Sequence, residues 1–278
     1  ALDITIINNE IVNYNFNNVI IKLDKNYIYD EPDLLINRDY LTILNLTKDL
    51  NNSISYLEYI NDSHDVVAYY MILMNHKASH NLSKFKNGIY RSVTDITGNT
   101  YDNLSKKVKQ FMKIWKGTSG KYTNFNDKER HDLISDGLDS YVHITSPIRR
   151  IVDLINIILI QQNNNLYNFG DTCNNFVNQS MENLNNINIT MKNIKQVQND
   201  CLLLSKYIDN TINKDIIYDG YIIEKEKDEY TVYISEIKFV TKIKLLEDLE
   251  LYNKYKFTIH LLIDENTLKK KIRLQVQF

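Results

Sequence analysis

Apolar and polar residues alternate at the N-terminal end of the chain. The apolar members of this pattern over residues 1–30 are Leu2, Ile4, Ile6, Ile11, Tyr14, Phe16, Val19, Ile21 and Leu23. A period of two indicates β-strands, and Asn8 and Asn9 between the first two runs favour a hairpin turn. The pattern therefore predicts antiparallel sheet over this region.

A second alternating region begins at Ile216 and continues to Leu261. Its apolar residues fall in short runs that are separated by charged residues. This pattern predicts about five short strands, the number that an OB-like barrel contains. We therefore expect a small β-domain at the C-terminal end.

Helical periodicity fills much of the region between them. Residues 64–83 predict a helix whose apolar positions cover most of its circumference, and residues 104–115 predict an amphipathic helix with a lysine-rich face. Residues 169–207 predict one or two further helices, and residues 88–91 predict a turn that leads into a strand. The whole pattern is that of an α+β protein.

The stretch over residues 141–160 combines a helix start with a long apolar run, and it reads YVHITSPIRRIVDLINIILI. Serine is a strong N-cap and proline is favoured at the first helical position, so Ser146 and Pro147 predict a helix that begins at Pro147. Apolar residues then fall on every side of this helix, from Ile148 to Ile160. A helix without a polar face is expected to lie in the core.

Arg149 and Arg150 fall in the first turn of this predicted helix. Two cations at a helix N-terminus oppose the helix dipole, so the arrangement favours a bound anion, and phosphate suits it best. The alternative is internal pairing with Asp153, on the next turn, or with Asp139. One aspartate neutralises one arginine but hardly both, which favours the phosphate site.

Composition and charge limit the class of protein. With 278 residues, 43% hydrophobic and 24% charged, the chain has the composition of a globular protein with one large or two ordinary domains. A formal net charge of −2 argues against indiscriminate coating of nucleic acid, so an RNA site must be a local basic patch. Cys173 and Cys201 make neither a disulfide framework nor a zinc site, which indicates a reducing compartment and predicts a cytoplasmic location.

The sequence shows neither a membrane span nor a signal peptide. The apolar run at residues 151–160 is shorter than the roughly 20 residues that a membrane helix needs, and Asp153 interrupts it. We therefore expect no membrane partner. The chain begins with Ala1 rather than methionine, so we expect it to be a fragment or a processed product.

The sequence YVHITSPIRR, followed by Asp153 and Leu154 and preceded by Gly137 and Leu138, resembles the signature of the RNB family of 3′ to 5′ exoribonucleases. The family includes bacterial ribonucleases II and R and the nuclease subunit of the eukaryotic exosome. The resemblance implies an RNB-type mixed sheet with helices, as a partial domain, followed by the OB-like barrel.

The same resemblance implies a domain division and a function. Residues 1–212 would form the C-terminal portion of an RNB-like catalytic domain, and residues 213–278 an OB-fold RNA-binding-like domain. The implied function is part of a hydrolytic 3′ to 5′ exoribonuclease that acts on single-stranded RNA. This chain would contribute the contact to the RNA phosphate and the scaffold of the RNA channel.

The resemblance also assigns roles to residues. Arg149 is the catalytic candidate, because it would neutralise and position the terminal phosphate rather than break a bond, and Arg150 and Ser146 belong to the same RNA-binding site. Tyr29, in the sequence YIYD, matches a tyrosine that stacks on a base near the 3′ end, with a packed hairpin tyrosine as the alternative. Arg91 is expected to approach the RNA backbone, with a solvated strand-end arginine as the alternative.

The predicted C-terminal barrel carries aromatic and basic residues of the kind that bind single-stranded RNA. They are Tyr230, Tyr233, Phe239, Lys225, Lys227, Lys238 and Lys242. Aromatic residues of this kind form a stacking surface where they are exposed and part of the core where they are buried. The sequence pattern leaves both interpretations open.

Departures from the family pattern bear on catalysis. A glutamate pair of the long helix is replaced by Ala68 and Tyr69, and a His-Arg pair after the aspartate is replaced by Ile157 and Ile158. A glutamate often found on the last helix falls on Gln196. All three departures favour a catalytically inactive relative that binds RNA or another protein. The intact SPIRR sequence favours retained RNA contact.

The resemblance implies Mg²⁺ as the cofactor of the family. Its aspartate ligands belong to a segment that precedes the matched part, so we expect none of them in this chain. His76 and His80 are one helical turn apart and suit a metal ion, but the sequence shows no third ligand beside them, and we predict no metal site. The sequence indicates no particular protein partner.

Overall fold

The computed structural model describes residues 1–93, 120–128, 131, 138–209, 212, 216–245, 247–264 and 269–277. The chain divides into two compact units, Ala1–Ile96 with Lys116–Ile187 and Thr97–Trp115 with Asn188–Phe278. The amphipathic helix predicted over residues 104–115 lies outside the described residues, and the domain boundary predicted after residue 212 stays a prediction. None of the described helices combines the length and the apolar character of a membrane span.

An antiparallel hairpin opens the first unit, as predicted, with β1 (Leu2–Ile7) and β2 (Glu10–Phe16). Asn8 and Asn9 form its turn with φ angles of 51° and 62°. Two-residue hairpin turns need this left-handed conformation, which asparagine tolerates better than most residues.

The predicted continuation of this sheet through Val19, Ile21 and Leu23 is wrong. Residues 17–28 have no regular structure, and these three side chains are exposed. Leu2 is the first residue of β1 and pairs with Phe16, the last residue of β2. Asn17 exchanges backbone hydrogen bonds with Ala1 at 3.0 and 2.7 Å, and the chain leaves the sheet after it.

The helices of the first unit are α1 (Pro32–Leu35), α2 (Arg38–Ser53), α3 (Ser63–Lys84), α4 (Ile151–Asn163) and α5 (Asp171–Glu182). Helix α6 (Leu184–Ile208) follows them. The side chain of Asp62 accepts a hydrogen bond from the Asp65 N–H and caps α3, the long helix that the apolar pattern predicts. Residues 169–207, which were predicted to form one or two helices, form α5 and α6.

Helix α4 begins at Ile151, so the prediction that it begins at Pro147 with Ser146 as N-cap is wrong. Arg150 holds the N-cap position with φ −129° and ψ 116°, and no side chain caps the helix. Residues 147–149 form a turn instead. The predicted burial on all sides is also wrong, because Ile151 and Leu154 of the helix itself are exposed.

A short antiparallel sheet packs with these helices. Its strands are β3 (Tyr90–Ser92) and β4 (Lys121–Thr123), and β3 is the strand predicted after the turn at residues 88–91. Tyr90 and the neighbouring Ile89 are fully buried. The core of the first unit therefore includes the strand that carries Arg91.

The second unit contains the predicted β-domain. Its strands are β5 (Ile217–Glu226), β6 (Glu229–Ile234), β7 (Phe239–Lys244), β8 (Lys254–Asp264) and β9 (Lys269–Gln277). They form one curled antiparallel sheet in the order β7-β6-β5-β8-β9. The predicted α+β class with an OB-like C-terminal part is confirmed.

The aromatic residues of this sheet form core rather than a stacking surface. Tyr230, Tyr233 and Phe239 are all buried. Two of the four lysines are paired with carboxylates, since Lys225 contacts Asp248 and Lys242 contacts Glu229. Tyr230 and Phe239 belong to one hydrophobic cluster of this unit, while Tyr233 alternates with Tyr230 along β6 and is buried on the other face of the sheet. The interpretation of these aromatics as an exposed RNA surface is therefore wrong.

Candidate functional site

Residues 138–150, which carry most of the motif, lie against β3. Val142 forms an antiparallel bridge with Tyr90, and the Arg91 N–H donates to the Tyr141 carbonyl at 2.8 Å. Tyr141 and Val142 are buried. The backbone of this segment is therefore fixed before it reaches the arginines.

Two buried asparagines hold the segment on its other sides. Asn75 on α3 donates to the Tyr141 hydroxyl at 2.9 Å and accepts from the Ile144 N–H at 3.0 Å. Asn156 on α4 donates to the His143 carbonyl at 3.1 Å. Both amide side chains are almost fully buried, where an unmatched polar group is costly. The two amides therefore specify one conformation of the segment.

The arginine loop, residues 146–150, closes on the Ser146 carbonyl. This oxygen accepts hydrogen bonds from the Arg149 and Arg150 N–H groups at 3.2 and 3.1 Å. The Ser146 N–H in turn donates to Asp153 Oδ1 at 2.8 Å. Ser146 thus organises the loop with its backbone, although the sequence predicted a helix cap there.

Arg150 is taken up by an internal ion pair. Its Nε donates to Asp153 Oδ2 at 2.8 Å and its Nη2 donates to Asp153 Oδ1 at 2.9 Å. Asp153 is fully buried. These bonds explain why α4 begins at Ile151 rather than at Pro147. The Asp153 carboxylate accepts hydrogen bonds from both Arg150 and the Ser146 N–H, and it thereby holds residue 150 in an extended conformation.

Arg149 has no such partner among the described residues. Its guanidinium is exposed, and the one contact it makes there is from Nη2 to the Ser146 hydroxyl at 3.5 Å, the outer limit of a hydrogen bond. Asp139, the other carboxylate considered for pairing, contacts His76 and His80 instead. Of the two neighbouring cations, one is structural and the other faces solvent.

His143 shows the electrostatic character of the site. Burial holds its pKa well below the usual range, and the charges of Arg150, Arg91 and Arg149 lower it further. Its Nδ1 is hydrogen-bonded to the Tyr122 hydroxyl at 2.8 Å. The ring is therefore neutral at neutral pH, and the surroundings disfavour any additional positive charge while favouring an anion.

Arg91 is buried beside His143, whereas the sequence had left open a solvated position at the end of a strand. Its side chain is buried, donates to the Gly120 carbonyl and lies 5.1 Å from the centre of the Tyr122 ring. A β-carbon at Gly120 would stand 2.9 Å from Arg91 Cζ and also 2.9 Å from the backbone carbonyl oxygen of Ser92, which cannot move aside, so the close approach favours glycine. The alternative of a solvated arginine is wrong, and a contact of Arg91 with RNA stays a prediction.

Tyr29 lies at a different place in the first unit. Its ring stacks on His64, at the start of α3, with ring centres 3.7 Å apart and an angle of 19° between the planes. Nearly half of its surface, 48%, is exposed, so a second ring has room to stack on it. His64 and Asn75 are 11 residues apart on α3, which corresponds to about 16 Å along the helix axis.

The sequence predicted a common site for Ser146, Arg149 and Arg150, which lie within one stretch of five residues, and in the structure they share one loop. The sequence did not predict His143 or Asn156, which pack beside this loop. His143 stands between the buried residues Val142 and Ile144 in the same motif. A polar residue within an apolar alternation was a usable signal for it.

A metal site of the Mg²⁺ type is not found among the described residues. The one group of three or more ligand-type side chains in those ranges consists of His76, His80 and Asp139. Mg²⁺ prefers oxygen ligands in octahedral geometry, whereas two of these groups are imidazoles. The described residues therefore do not fit the cofactor that the family resemblance implies.

Comparison with known proteins gives structural but no sequence-level matches. No family model matches the chain, and no curated protein sequence matches it significantly. The apo form of RNase R from Mycoplasma genitalium is similar, at 15% identity and a TM-score of 0.51, over 85% of this chain and 50% of that chain. An active-site mutant of the Dss1 exoribonuclease from Candida glabrata matches at 18% identity and a TM-score of 0.44, over 73% of this chain and 28% of that one. Yeast Ssd1, a pseudonuclease, matches at 14% identity and a TM-score of 0.47, over 79% of this chain and 34% of the Ssd1 chain.

The similarity to RNase R supports an RNB-like fold for this chain. The chain spans about half the length of that RNase R chain. The likeness is therefore one of fold, and activity has to be argued from the site.

Proposed function

We propose that this chain is an RNB-like module that binds single-stranded RNA and that Arg149 makes its central phosphate contact. The observation that carries this proposal is the unequal state of the two neighbouring arginines. Asp153 binds Arg150 through two hydrogen bonds, while Arg149 is exposed without a carboxylate partner among the described residues.

The chemistry of the loop suits a phosphodiester. A guanidinium donates two parallel hydrogen bonds to phosphate oxygens, and such charge-assisted bonds are stronger than neutral ones. Arg91, Arg149 and Arg150 all lower the pKa of His143, which shows that their positive charges act on the same place beside the arginine loop, and this favours an anionic ligand. Arg149 would therefore neutralise and position the phosphate, while bond cleavage would need other groups.

Tyr29 is the proposed stacking contact. Its partly exposed ring already has His64 on one face, which fixes its orientation for a base on the other. His64, which stacks on Tyr29, and Asn75, which holds the segment before the arginine loop, are about 16 Å apart along α3. This is longer than one nucleotide, so the proposed ligand is an extended strand of several nucleotides. Single-stranded RNA meets this requirement because its bases are free to stack.

We further propose that the module serves a hydrolytic 3′ to 5′ exoribonuclease, as the motif over residues 141–154 implies. Hydrolysis would require Mg²⁺ held by carboxylates other than those of the described residues. Cys173 and Cys201 are both free thiols, which supports a reducing compartment such as the cytoplasm.

A second candidate function is RNA binding without cleavage. The positions of the family's glutamate pair hold Ala68 and Tyr69, and Tyr69 is fully buried in the core of the first unit. A buried tyrosine there leaves no acidic group to hold the terminal nucleotide. This observation favours a non-catalytic module that keeps the arginine loop.

The binding proposal is tested by fluorescence anisotropy with a 5′-labelled single-stranded RNA and the matching duplex, in EDTA so that no cleavage intervenes. We expect the chain to prefer the single strand and Arg149→Gln to weaken binding about tenfold, the equivalent of one lost charge-assisted bond. Lys192→Gln, which removes an exposed cation from α6, is the matched control. Equal affinities of wild type and Arg149→Gln would overturn the proposal.

Two observations distinguish the exoribonuclease from the non-catalytic module. They are the sequence of any segment encoded before Ala1 and the nuclease activity of the polypeptide that includes it. An aspartate-rich segment there, together with shortening of 5′-labelled RNA from its 3′ end in Mg²⁺, supports the exoribonuclease. A preceding segment without paired aspartates, or intact RNA despite binding, supports the non-catalytic module.

A further inference from the structure

His76 and His80 lie one turn apart on α3, and the fold brings Asp139 to them from a position 59 residues further along the chain than His80. The His76 Nε2 atom is 3.6 Å from Asp139 Oδ1, and the His80 Nε2 atom is 3.4 Å from it. All three ligand-type atoms lie within 4.8 Å of one another. The two imidazoles thus point their distal nitrogens at the same carboxylate.

We propose that His76, His80 and Asp139 form a binding site for a divalent transition-metal ion of the zinc class. Two ligand atoms bound at 2.0–2.1 Å to a tetrahedral zinc ion lie about 3.3 Å apart. The distances of 3.4 and 3.6 Å are close to this spacing. The three donor atoms lie within 4.8 Å of one another, so rotations of the side chains bring all of them to this spacing around one ion.

The environment of His76 prepares it as a ligand. Its Nδ1 is hydrogen-bonded to the Tyr56 hydroxyl at 2.7 Å, so the ring is oriented and Nε2 is left to face the cluster.

The surroundings of the cluster leave one coordination position open. His76 is largely buried, but the side chain of Asp139 is 73% exposed and that of His80 is 36% exposed. Three protein ligands with one face in solvent suit a four-coordinate ion whose last ligand is water. Two imidazoles and one carboxylate favour zinc-class ions over Mg²⁺, which prefers oxygen ligands.

The proposed metal site also lies next to the segment that leads into the arginine loop. Ser79 lies between the two histidines on α3. Its hydroxyl donates to the Ser140 carbonyl at 3.1 Å and is hydrogen-bonded to the Ser140 hydroxyl at 3.0 Å, as acceptor when its proton is on the carbonyl. A bound ion would add a further link between α3 and this segment, beside those of Asn75 and Ser79. Metal binding is therefore expected to stabilise the folded chain.

The test uses the full chain, without an affinity tag and stripped of metal by a chelator. Titration with Co²⁺ is expected to give the visible absorption of a four-coordinate ion, and Zn²⁺ is expected to displace it while Mg²⁺ is not. Asp139→Asn and His80→Gln should each weaken Co²⁺ binding at least tenfold. Both side chains are partly exposed, so the variants should fold, which circular dichroism checks. His260→Gln is the matched control from the second unit.

A second readout is thermal stability. Excess Zn²⁺ should raise the melting temperature of wild type and His260→Gln by about 3 °C or more and leave Asp139→Asn unchanged. Absence of a Co²⁺ spectrum in the wild type would overturn the proposal. So would equal Co²⁺ affinity in the wild type, Asp139→Asn and His80→Gln.

Discussion

Asp153 accepts two hydrogen bonds from the guanidinium of Arg150, at 2.8 and 2.9 Å, and is itself fully buried. The same carboxylate accepts the Ser146 N–H at 2.8 Å. One side chain thus satisfies a charge and a backbone donor, and it decides which of two adjacent arginines stays available.

Asp153→Asn should lower the free energy of unfolding by about 3 kcal/mol, because it leaves the largely buried Arg150 charge without its partner. Denaturant unfolding followed by circular dichroism measures the change. Asp127→Asn, an exposed aspartate of the same unit, is the control and should change stability by less than about 0.5 kcal/mol. Equal stability of Asp153→Asn and wild type would show that the ion pair does not hold the loop.

The stability of the chain should depend on pH through His143. Its pKa lies well below the ordinary 6.5 in the folded state, because of burial and the charges of Arg150 and Arg91. Between that lowered value and 6.5 the unfolded chain binds one more proton than the folded chain. The free energy of unfolding therefore falls as pH falls through this window, by up to about 1.4 kcal/mol per pH unit.

This dependence is checked by urea unfolding of wild type and His143→Gln at a series of pH values below 7. The glutamine retains a hydrogen-bonding group toward Tyr122 but does not titrate. The stability curve of the variant should be flatter than that of the wild type by the contribution of one proton. Parallel curves would mean that His143 is protonated equally in both states.

Tyr29→Ala should weaken binding of single-stranded RNA by at least about fivefold, because an aromatic platform contributes about 1 kcal/mol or more per stacked base. Tyr29→Phe keeps the ring and should bind like the wild type. Tyr59→Ala removes another exposed tyrosine and serves as the control. Anisotropy titrations in which Tyr29→Ala and Tyr59→Ala behave alike would exclude Tyr29 from the interface.

Periodicity was enough to predict most elements of this fold. The hairpin around Asn8 and Asn9, the long helix α3 and the C-terminal strands each have a regular pattern over many residues. The pattern failed for Val19 and Ile21, whose alternation continues although they form no strand and their side chains are exposed. Local alternation does not report whether a segment has a partner strand or a core to pack against.

The candidate site was only partly predictable, because its decisive contacts are not local. Arg150 pairs with Asp153 instead of facing a ligand because Asp153 is completely buried. The spacing of three residues between them does not reveal this burial. The joining of His80 with Asp139 crosses 59 residues. Tyr230 and Phe239 are aromatic residues, which suit either a core or an RNA-stacking surface. The fold of the sheet places both in the hydrophobic core of the second unit.

The most direct test of the account is the salt dependence of single-stranded RNA binding by wild type, Arg149→Gln and Lys192→Gln. Each phosphate contact to a single strand contributes about 0.7 to the slope of log affinity against log salt concentration. We predict that Arg149→Gln lowers the magnitude of this slope by about 0.7 and that Lys192→Gln leaves it unchanged. A slope for Arg149→Gln equal to that of the wild type would contradict the claim that this arginine binds the RNA phosphate.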